Sequence, residues 1–118
     1  MKKIFLIILT STLLNCKNME QKLMCNTSDF SKFEEKSTLK CEDAIKIYEA
    51  NFQNKFNVNV DILRDHNFTK NYDRVIYVSD NNYNIGFASL NDKRGIESVP
   101  LKYLAKIDSE TGEISVVK

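Results

Sequence analysis

Three cysteines and a single histidine are the residues of this 118-residue chain whose side chains best suit covalent or acid–base chemistry. His66 lies among three aspartates, Asp61, Asp65 and Asp73, and a carboxylate beside an imidazole can orient it as a general base. No serine or cysteine has the sequence context of an activated nucleophile, and one imidazole is too few ligands for a metal site. We interpret His66 as a solvated loop residue, and a small exported hydrolase that uses His66 is the enzymatic alternative.

Cys16 stands at the point where an N-terminal apolar run stops. Two lysines precede the apolar segment 4–14, which is shorter than the roughly 20 residues that a membrane-spanning helix needs. A positive end followed by a short apolar core is the layout of a secretory signal peptide. The sequence LLNC that ends at Cys16 resembles the lipobox of bacterial lipoproteins, in which a leucine lies three residues before a cysteine that receives a diacylglycerol. Asn15 departs from the small residue usual at that position, and an ordinary signal peptide is the alternative.

The lipobox resemblance implies that residues 1–15 are removed and that Cys16 carries the lipid that holds the protein on a membrane. Anchoring by two or more acyl chains is stable, because each buried methylene contributes about 0.8 kcal/mol. Lys17 stands where lipoproteins retained at the inner membrane of enteric bacteria often have aspartate, so the periplasmic side of the outer membrane is favoured over the inner membrane. Residues 16–37 are polar and irregular in pattern, and we interpret them as a lipidated tether.

With Cys16 occupied by lipid, Cys25 and Cys41 remain as an even pair in an exported, oxidising compartment. A disulfide between them would close a loop of about 15 residues and stabilise the fold by about 3 kcal/mol. It would also fasten the tether to the first helix. Two free thiols are the alternative, and metal ligation is disfavoured because only His66 could join the pair and no C-x-x-C spacing is present.

Charge and composition exclude some classes of function. The formal net charge is +1, and removal of residues 1–15 takes away two lysines, so no basic excess is left to neutralise nucleic-acid phosphates. An apolar fraction of 42%, three glycines and one proline fit one small globular domain rather than a low-complexity chain. We place that domain at residues 38–118.

The clearest local pattern predicts an amphipathic helix over residues 38–57. Its apolar residues recur at helical spacing and so share one face; they are Ala44, Ile45, Tyr48 and Phe52. Glu42 and Asp43 stand in the first turn, where the helix dipole favours negative charge. Asn57 is suited to a left-handed exit. Thr38 and Lys40 are both candidates for the N-cap.

Beyond this helix the apolar pattern alternates with a period of two, which predicts strands. The predicted strand segments are, in chain order, 58–62, 74–79, 83–90, 99–107 and 114–116. Residues 80–82 and 109–112 supply turn chemistry, with Gly112 at a position of positive φ. Gly86 inside a strand pattern marks a bulge.

A lone amphipathic helix and a sheet with one apolar face can each bury apolar surface only against the other. The predicted fold class is therefore α+β, with one N-terminal helix packed on an antiparallel meander sheet of four to five strands. The strand at 74–79 is apolar on both sides, so we expect the tether, or else a partner protein, to cover Ile76 and Val78. We interpret four aromatic residues as core and sheet packing rather than as a ligand cage: Tyr77, Tyr83, Phe87 and Tyr103.

The C-terminal sequence LAKIDSETGEISVV resembles the final hairpin of PepSY-type domains, with a strand that ends in Ile-Asp, a turn that contains glycine and a short closing strand. The resemblance covers residues 42–118, because that family also places a helix before its meander; the segment NDKRGIESVP has no counterpart in the pattern. It implies a small exported module of a kind proposed to restrain peptidases. Cystatin-like and NTF2-like folds, including immunity proteins of bacterial toxins, share this plan of a helix against a curved sheet.

Together these observations predict a membrane-anchored lipoprotein of the bacterial cell envelope. It would carry a small non-catalytic binding or inhibitory module, act on a protein partner and need no cofactor. An NTF2-like toxin-immunity protein is the leading alternative.

Overall fold

The computed structural model of the chain describes residues 23–24, 27–93 and 100–117. Its sheet has five antiparallel strands in the order β1-β2-β3-β4-β5, and the α+β fold class is confirmed. The strands are β1 (Leu23–Met24), β2 (Tyr72–Ser79), β3 (Asn82–Ser89), β4 (Lys102–Asp108) and β5 (Ile114–Val116). The helices are α1 (Ser28–Lys36), α2 (Cys41–Phe56), a 3₁₀ helix (Val60–Arg64) and α3 (His66–Thr69).

Helix α2 is the amphipathic helix that the apolar spacing predicts. Ala44, Tyr48 and Phe52 are its buried residues, and they pack against the sheet in the main core. The N-cap is Lys40, whose backbone N–H donates to Asp43 Oδ2 at 2.9 Å. Asn57 ends the helix in the left-handed conformation, with φ of 58°, so the predicted exit is confirmed.

Helix α1 lies in the segment that the sequence predicts to be irregular. Thr27 caps it, since Thr27 Oγ1 accepts the backbone N–H of Phe30 at 3.2 Å. Phe30 and Phe33 share one face of α1, and their rings lie 5.9 and 5.6 Å from the ring of Tyr83 in β3. This contact with a distant residue, which the local sequence does not reveal, explains why the segment is helical. The predicted helix α2 is therefore preceded by a shorter one.

Reciprocal hydrogen bonds close the corner between α1 and α2. Glu34 Oε2 accepts the backbone N–H of Cys41 at 2.7 Å, and Lys40 Nζ donates to the backbone oxygen of Glu34 at 2.6 Å. The Tyr83 hydroxyl donates to the Leu39 carbonyl at 2.7 Å in the same corner. Burial raises the pKa of this Tyr83 phenol. The end of one helix and the start of the next thus satisfy each other's unpaired backbone groups.

Strand β1 brings the predicted tether onto the sheet, immediately before Cys25. Leu23 pairs with Val78 and Met24 with Tyr77, in antiparallel register. Ile76 and Val78 lie on the helix-bearing face, in the same core cluster as Phe30 of α1. Part of the predicted tether, Phe30, thus does cover Ile76 and Val78, but it does so together with α2 on the same face of the sheet. The opposite face of the sheet carries a smaller cluster of Val75, Tyr77 and Ala88, with Leu101 packed against it.

The prediction of a strand at residues 58–62 is wrong. Residues 60–64 form a 3₁₀ helix instead, which begins where Asn59 Oδ1 accepts the backbone N–H of Asp61 at 2.9 Å. Asparagine favours such a local turn over a strand ladder. The apolar residues that suggested alternation, Val58, Val60 and Ile62, pack as half-buried residues against the main core.

The two predicted tight turns are confirmed. Asp80 and Asn81 both have positive φ, 55° and 62°, and Ser79 pairs with Asn82 on either side of them, as in a two-residue hairpin of type I′. Gly112 has φ of 81° in the loop between β4 and β5. The loop's Asp108 Oδ1 accepts the backbone N–H groups of Glu110 and Thr111, which holds the pKa of Asp108 below its ordinary value.

The sheet is irregular at Gly86, as predicted. Ile85 pairs with Ala105 and Phe87 with Lys102, so two residues of β4 stand opposite Gly86. The extra residue is thus in β4, where Tyr103 has a φ of 55°. A non-glycine residue in the left-handed region costs on the order of 1–3 kcal/mol and persists only where its surroundings hold it.

Candidate functional site

Two of the three cysteines that carry the sequence hypothesis lie outside the described residues. These are Cys16, the predicted lipidation site, and Cys25, the predicted disulfide partner. Cys41 is described; it is the first residue of α2 and is half-buried. The disulfide between Cys25 and Cys41 therefore stays a prediction.

His66 opens the short helix α3, and its side chain is exposed. Asp65 caps this helix, because its Oδ1 accepts the backbone N–H of Asn67 at 3.3 Å. Among the described residues, no hydrogen bond or ion pair joins the His66 ring to Asp61, Asp65 or Asp73, so the fold does not assemble the base that their proximity in sequence suggests. Within 23–24, 27–93 and 100–117, no cluster of three potential metal ligands exists either.

A cleft of about 380 Å³ opens between α2, the 3₁₀ helix, α3 and the start of β2. Its lining combines aromatic and aliphatic side chains with charged ones and a hydroxyl: Tyr48, Glu49, Leu63, Phe68, Thr69, Tyr72, Asp73, Arg74 and Phe87. The volume is within the range of about 300–1,000 Å³ that is typical of pockets for small ligands. The lining includes neither His66 nor any cysteine or serine. This cleft is the candidate functional site.

The apolar side of the cleft is a set of packed aromatic rings. Phe68 stacks on Tyr72, with ring centroids 4.8 Å apart and planes inclined by 16°. Phe68 also meets the edge of Phe87 at 5.1 Å, and Tyr48 lies 6.4 Å from Phe87. Such offset and edge-to-face contacts add to the stabilisation from burial. We call these four packed rings, Tyr48, Phe68, Tyr72 and Phe87, the aromatic wall.

The bulge in β4 shapes the base of this aromatic wall. It turns the Tyr103 carbonyl so that the hydroxyl of the buried Tyr48 donates to it at 2.7 Å. The Tyr103 ring meets Phe52 at 5.0 Å and Phe68 at 6.1 Å. The left-handed conformation of Tyr103 is thus held by a hydrogen bond on one side and by aromatic packing on the other. Bulges of this kind commonly re-aim side chains beside functional sites.

Charged side chains surround the mouth of the cleft. Glu49 is paired with Arg64 at the rim, with 3.7 Å between Oε1 and Nη2. Arg74 and Asp73 follow one another on β2 and therefore project from opposite faces of the sheet. Arg74 shares the helix-bearing face with Tyr72 and Ile76. Among the described residues Arg74 forms no ion pair within 4 Å.

Burial raises the pKa of the Tyr48 phenol far above its ordinary value of 10.0. Tyr103 and Glu49 raise it further, whereas the nearby Arg74 guanidinium lowers it. Arg74 lines the same cleft as these rings. The site therefore combines apolar surface with a cation that has no anionic partner among the described residues.

Stability at alkaline pH is expected to depend on Tyr48. A phenol whose pKa is higher in the folded than in the unfolded chain contributes stability that is complete below the unfolded pKa and is lost as the pH rises through the folded one. The urea midpoint should therefore fall between about pH 9 and about pH 11, and fall less steeply in Tyr48→Phe. Ile107→Val, which weakens the core and keeps every phenol, is the control and should retain the wild-type slope. Equal slopes for Tyr48→Phe and wild type would contradict this account.

No sequence motif marks this cleft, although three of its lining residues, Tyr48, Asp73 and Phe87, were each considered for another role. Tyr48 was recognised as a core residue of α2, and Phe87 as sheet packing; both predictions are confirmed by their burial. Tyr77 and Tyr83 are also buried as predicted, and Tyr103 is half-buried. Arg74 and Glu49 belong to no motif. The one available signal was Arg74 at the start of an otherwise apolar strand.

Comparisons with protein-family models, with curated proteins and with solved structures found no match for this chain. No helix in the described part of the chain is both long and apolar enough to cross a membrane.

Proposed function

We propose that this protein is a lipid-anchored component of the bacterial cell envelope whose folded domain is a non-catalytic binding module. The observation that carries the proposal is the cleft between α2, α3 and β2, whose aromatic wall and charged mouth are suited to recognition. Its lining offers no imidazole, thiol or serine hydroxyl. Binding by shape and charge is therefore better supported than hydrolysis at His66, which is exposed and outside the cleft.

The lipobox-like sequence LLNC supports anchoring through Cys16. Strand β1 begins at Leu23, so the chain between the lipid and the sheet is much shorter than the predicted tether of residues 16–37. Seven residues span at most about 25 Å when fully extended. An anchored domain would thus stay close to the bilayer surface, where it meets ligands or partners at the envelope.

The resemblance to PepSY-type domains supports a binding or inhibitory role of the module toward a protein partner. It rests on the helix and the closing hairpin, which the structure contains as α2 and as β4 with β5. Fold alone does not establish function. The proposal that the module binds or inhibits a protein partner is therefore independent of the proposal that Cys16 carries a lipid anchor.

Replacing Cys16 is expected to abolish lipid attachment. Cells that express wild type should incorporate radiolabelled palmitate into the protein, whereas Cys16→Ala should show none, because the thioether to diacylglycerol requires the sulfur. Cys25→Ala is the matched control and should label like wild type. The wild-type protein should partition into the detergent phase and Cys16→Ala into the aqueous phase. Equal labelling of wild type and Cys16→Ala, or no labelling of either, would refute the anchor.

A further inference from the structure

We propose that the cleft binds a ligand group made of an apolar ring and an adjacent anionic group, with the ring against the aromatic wall and the anion on Arg74. This inference rests on the proposed function of the domain as a binding module and specifies its ligand. Each part of the ligand corresponds to one feature of the cleft.

The ring is specified by the shape and chemistry of the wall. Phe68 and Tyr72 are stacked with their planes nearly parallel, and Phe87 meets Phe68 edge-on. A cavity of about 380 Å³ has room for a bicyclic ring with a short substituent. Because Phe68 and Phe87 are themselves buried, a ligand ring would contact chiefly the half-buried Tyr72. A flat apolar group there gains from removal of apolar surface from water and from ring-to-ring contact.

The anion is specified by the distribution of charge at the mouth. Two carboxylates, Glu49 and Asp73, line the cleft together with Arg74. Glu49 is paired with Arg64, and Asp73 is the neighbour of Arg74 on β2, where successive side chains project from opposite faces. Arg74 is the cation of this lining, and in the described part of the chain no ion pair within 4 Å engages it. Its guanidinium can donate two parallel hydrogen bonds to a carboxylate.

A second cation lies beside the same rings. Lys102 Nζ is 5.0 Å from the ring centroid of Tyr103 and 6.0 Å from that of Tyr72. The Lys102 ammonium is therefore within cation–π distance of both rings.

The test uses two probes that differ only in charge, N-acetyl-L-tryptophan and N-acetyl-L-tryptophanamide. Because the chain contains no tryptophan, the indole fluorescence of a titration comes from the probe alone. The purified full-length protein should bind the anionic probe about tenfold more tightly than the amide, the difference expected of a charge-assisted hydrogen bond. Equal affinities, or no binding of either probe, would overturn the proposal.

Arg74→Gln is expected to abolish the preference for the anionic probe while leaving the affinity for the amide near that of wild type. Lys106→Gln removes one positive charge from an exposed residue of β4 that is outside the cleft lining; it is the control and should keep the preference. Arg74→Glu should go further and favour the amide. Circular dichroism and the urea midpoint verify that the variants fold. A preference that survives in Arg74→Gln would contradict the assignment of Arg74.

Two further probes distinguish the source of such a ligand. Indole-3-acetate represents a free aromatic acid, and N-acetyl-alanyl-alanyl-tryptophan represents the C-terminal residue of a partner chain. Tighter binding of the first supports a small-molecule ligand, and tighter binding of the second supports a protein terminus. The outcome is separable from the anchoring proposal, because palmitate labelling at Cys16 reports on the anchor and probe titration reports on the cleft.

Discussion

Phe52→Ala is expected to lower the free energy of unfolding by about 3–5 kcal/mol, the range for truncation of a buried phenylalanine. Phe52 is completely buried, and its ring lies 5.1 Å from Phe56, 5.0 Å from Tyr103 and 5.7 Å from Tyr48. Alanine would leave a cavity in the middle of this aromatic group. Small domains have total stabilities of about 5–15 kcal/mol, so the loss would be a large share of the whole.

Urea unfolding at 25 °C, followed by far-ultraviolet circular dichroism, measures this effect. Leu90→Ala is the control, since it also truncates a large apolar side chain but at a position that is 52% exposed. Surface changes of this kind usually stay within about 0.5 kcal/mol. A loss below about 1 kcal/mol in Phe52→Ala would mean that the aromatic group is not the core of the fold.

Gly86→Val is expected to destabilise the domain by about 2–3 kcal/mol, at the upper end of the usual cost of overpacking. A Cβ at this position would lie 3.0 Å from Leu101 Cβ, 3.2 Å from Leu104 Cδ1 and 3.3 Å from the backbone oxygen of Lys102. The last of these is main chain and cannot move aside alone. Valine adds two further methyl groups to the same space, so the pairing of β3 with β4 must shift.

The same substitution should disturb the cleft, because the bulge opposite Gly86 orients Tyr103 and its hydrogen bond from Tyr48. Ser89→Val is the matched control in β3; it places the same side chain at the half-buried end of that strand and should cost little. Thermal unfolding of the three proteins supplies the comparison. A midpoint for Gly86→Val equal to that of Ser89→Val would show that the space beside Gly86 is adaptable.

The helix α2 and both tight turns followed from neighbouring residues. The spacing of Ala44, Tyr48 and Phe52 determines which helix face is apolar. Asn57 suits left-handed backbone because of its short polar side chain, and Gly112 suits it because glycine has no Cβ. Interactions between neighbours in sequence are sufficient for such features. The same holds for the hairpin at Asp80 and Asn81.

Two local predictions failed where the deciding contact is distant or the pattern is short. Phe30 and Phe33 form a helix face only because Tyr83, far along the chain, receives their rings. Val58, Val60 and Ile62 alternate over five residues only, and the Asn59 side chain starts a 3₁₀ turn that buries them without a strand. Patterns this short do not distinguish the two outcomes.

Residue patterns along the chain were enough to predict the α+β class, the position of α2 and the turns of the meander, and they include the motif at Cys16 from which the anchor is proposed. Only the tertiary structure decided that α1 joins the core and that Arg74 faces a cleft walled by Phe68 and Tyr72. The difference lies in how far apart in sequence the interacting residues are. Helix periodicity and turn chemistry act between residues a few positions apart, whereas a binding cleft exists only where segments distant in sequence pack together.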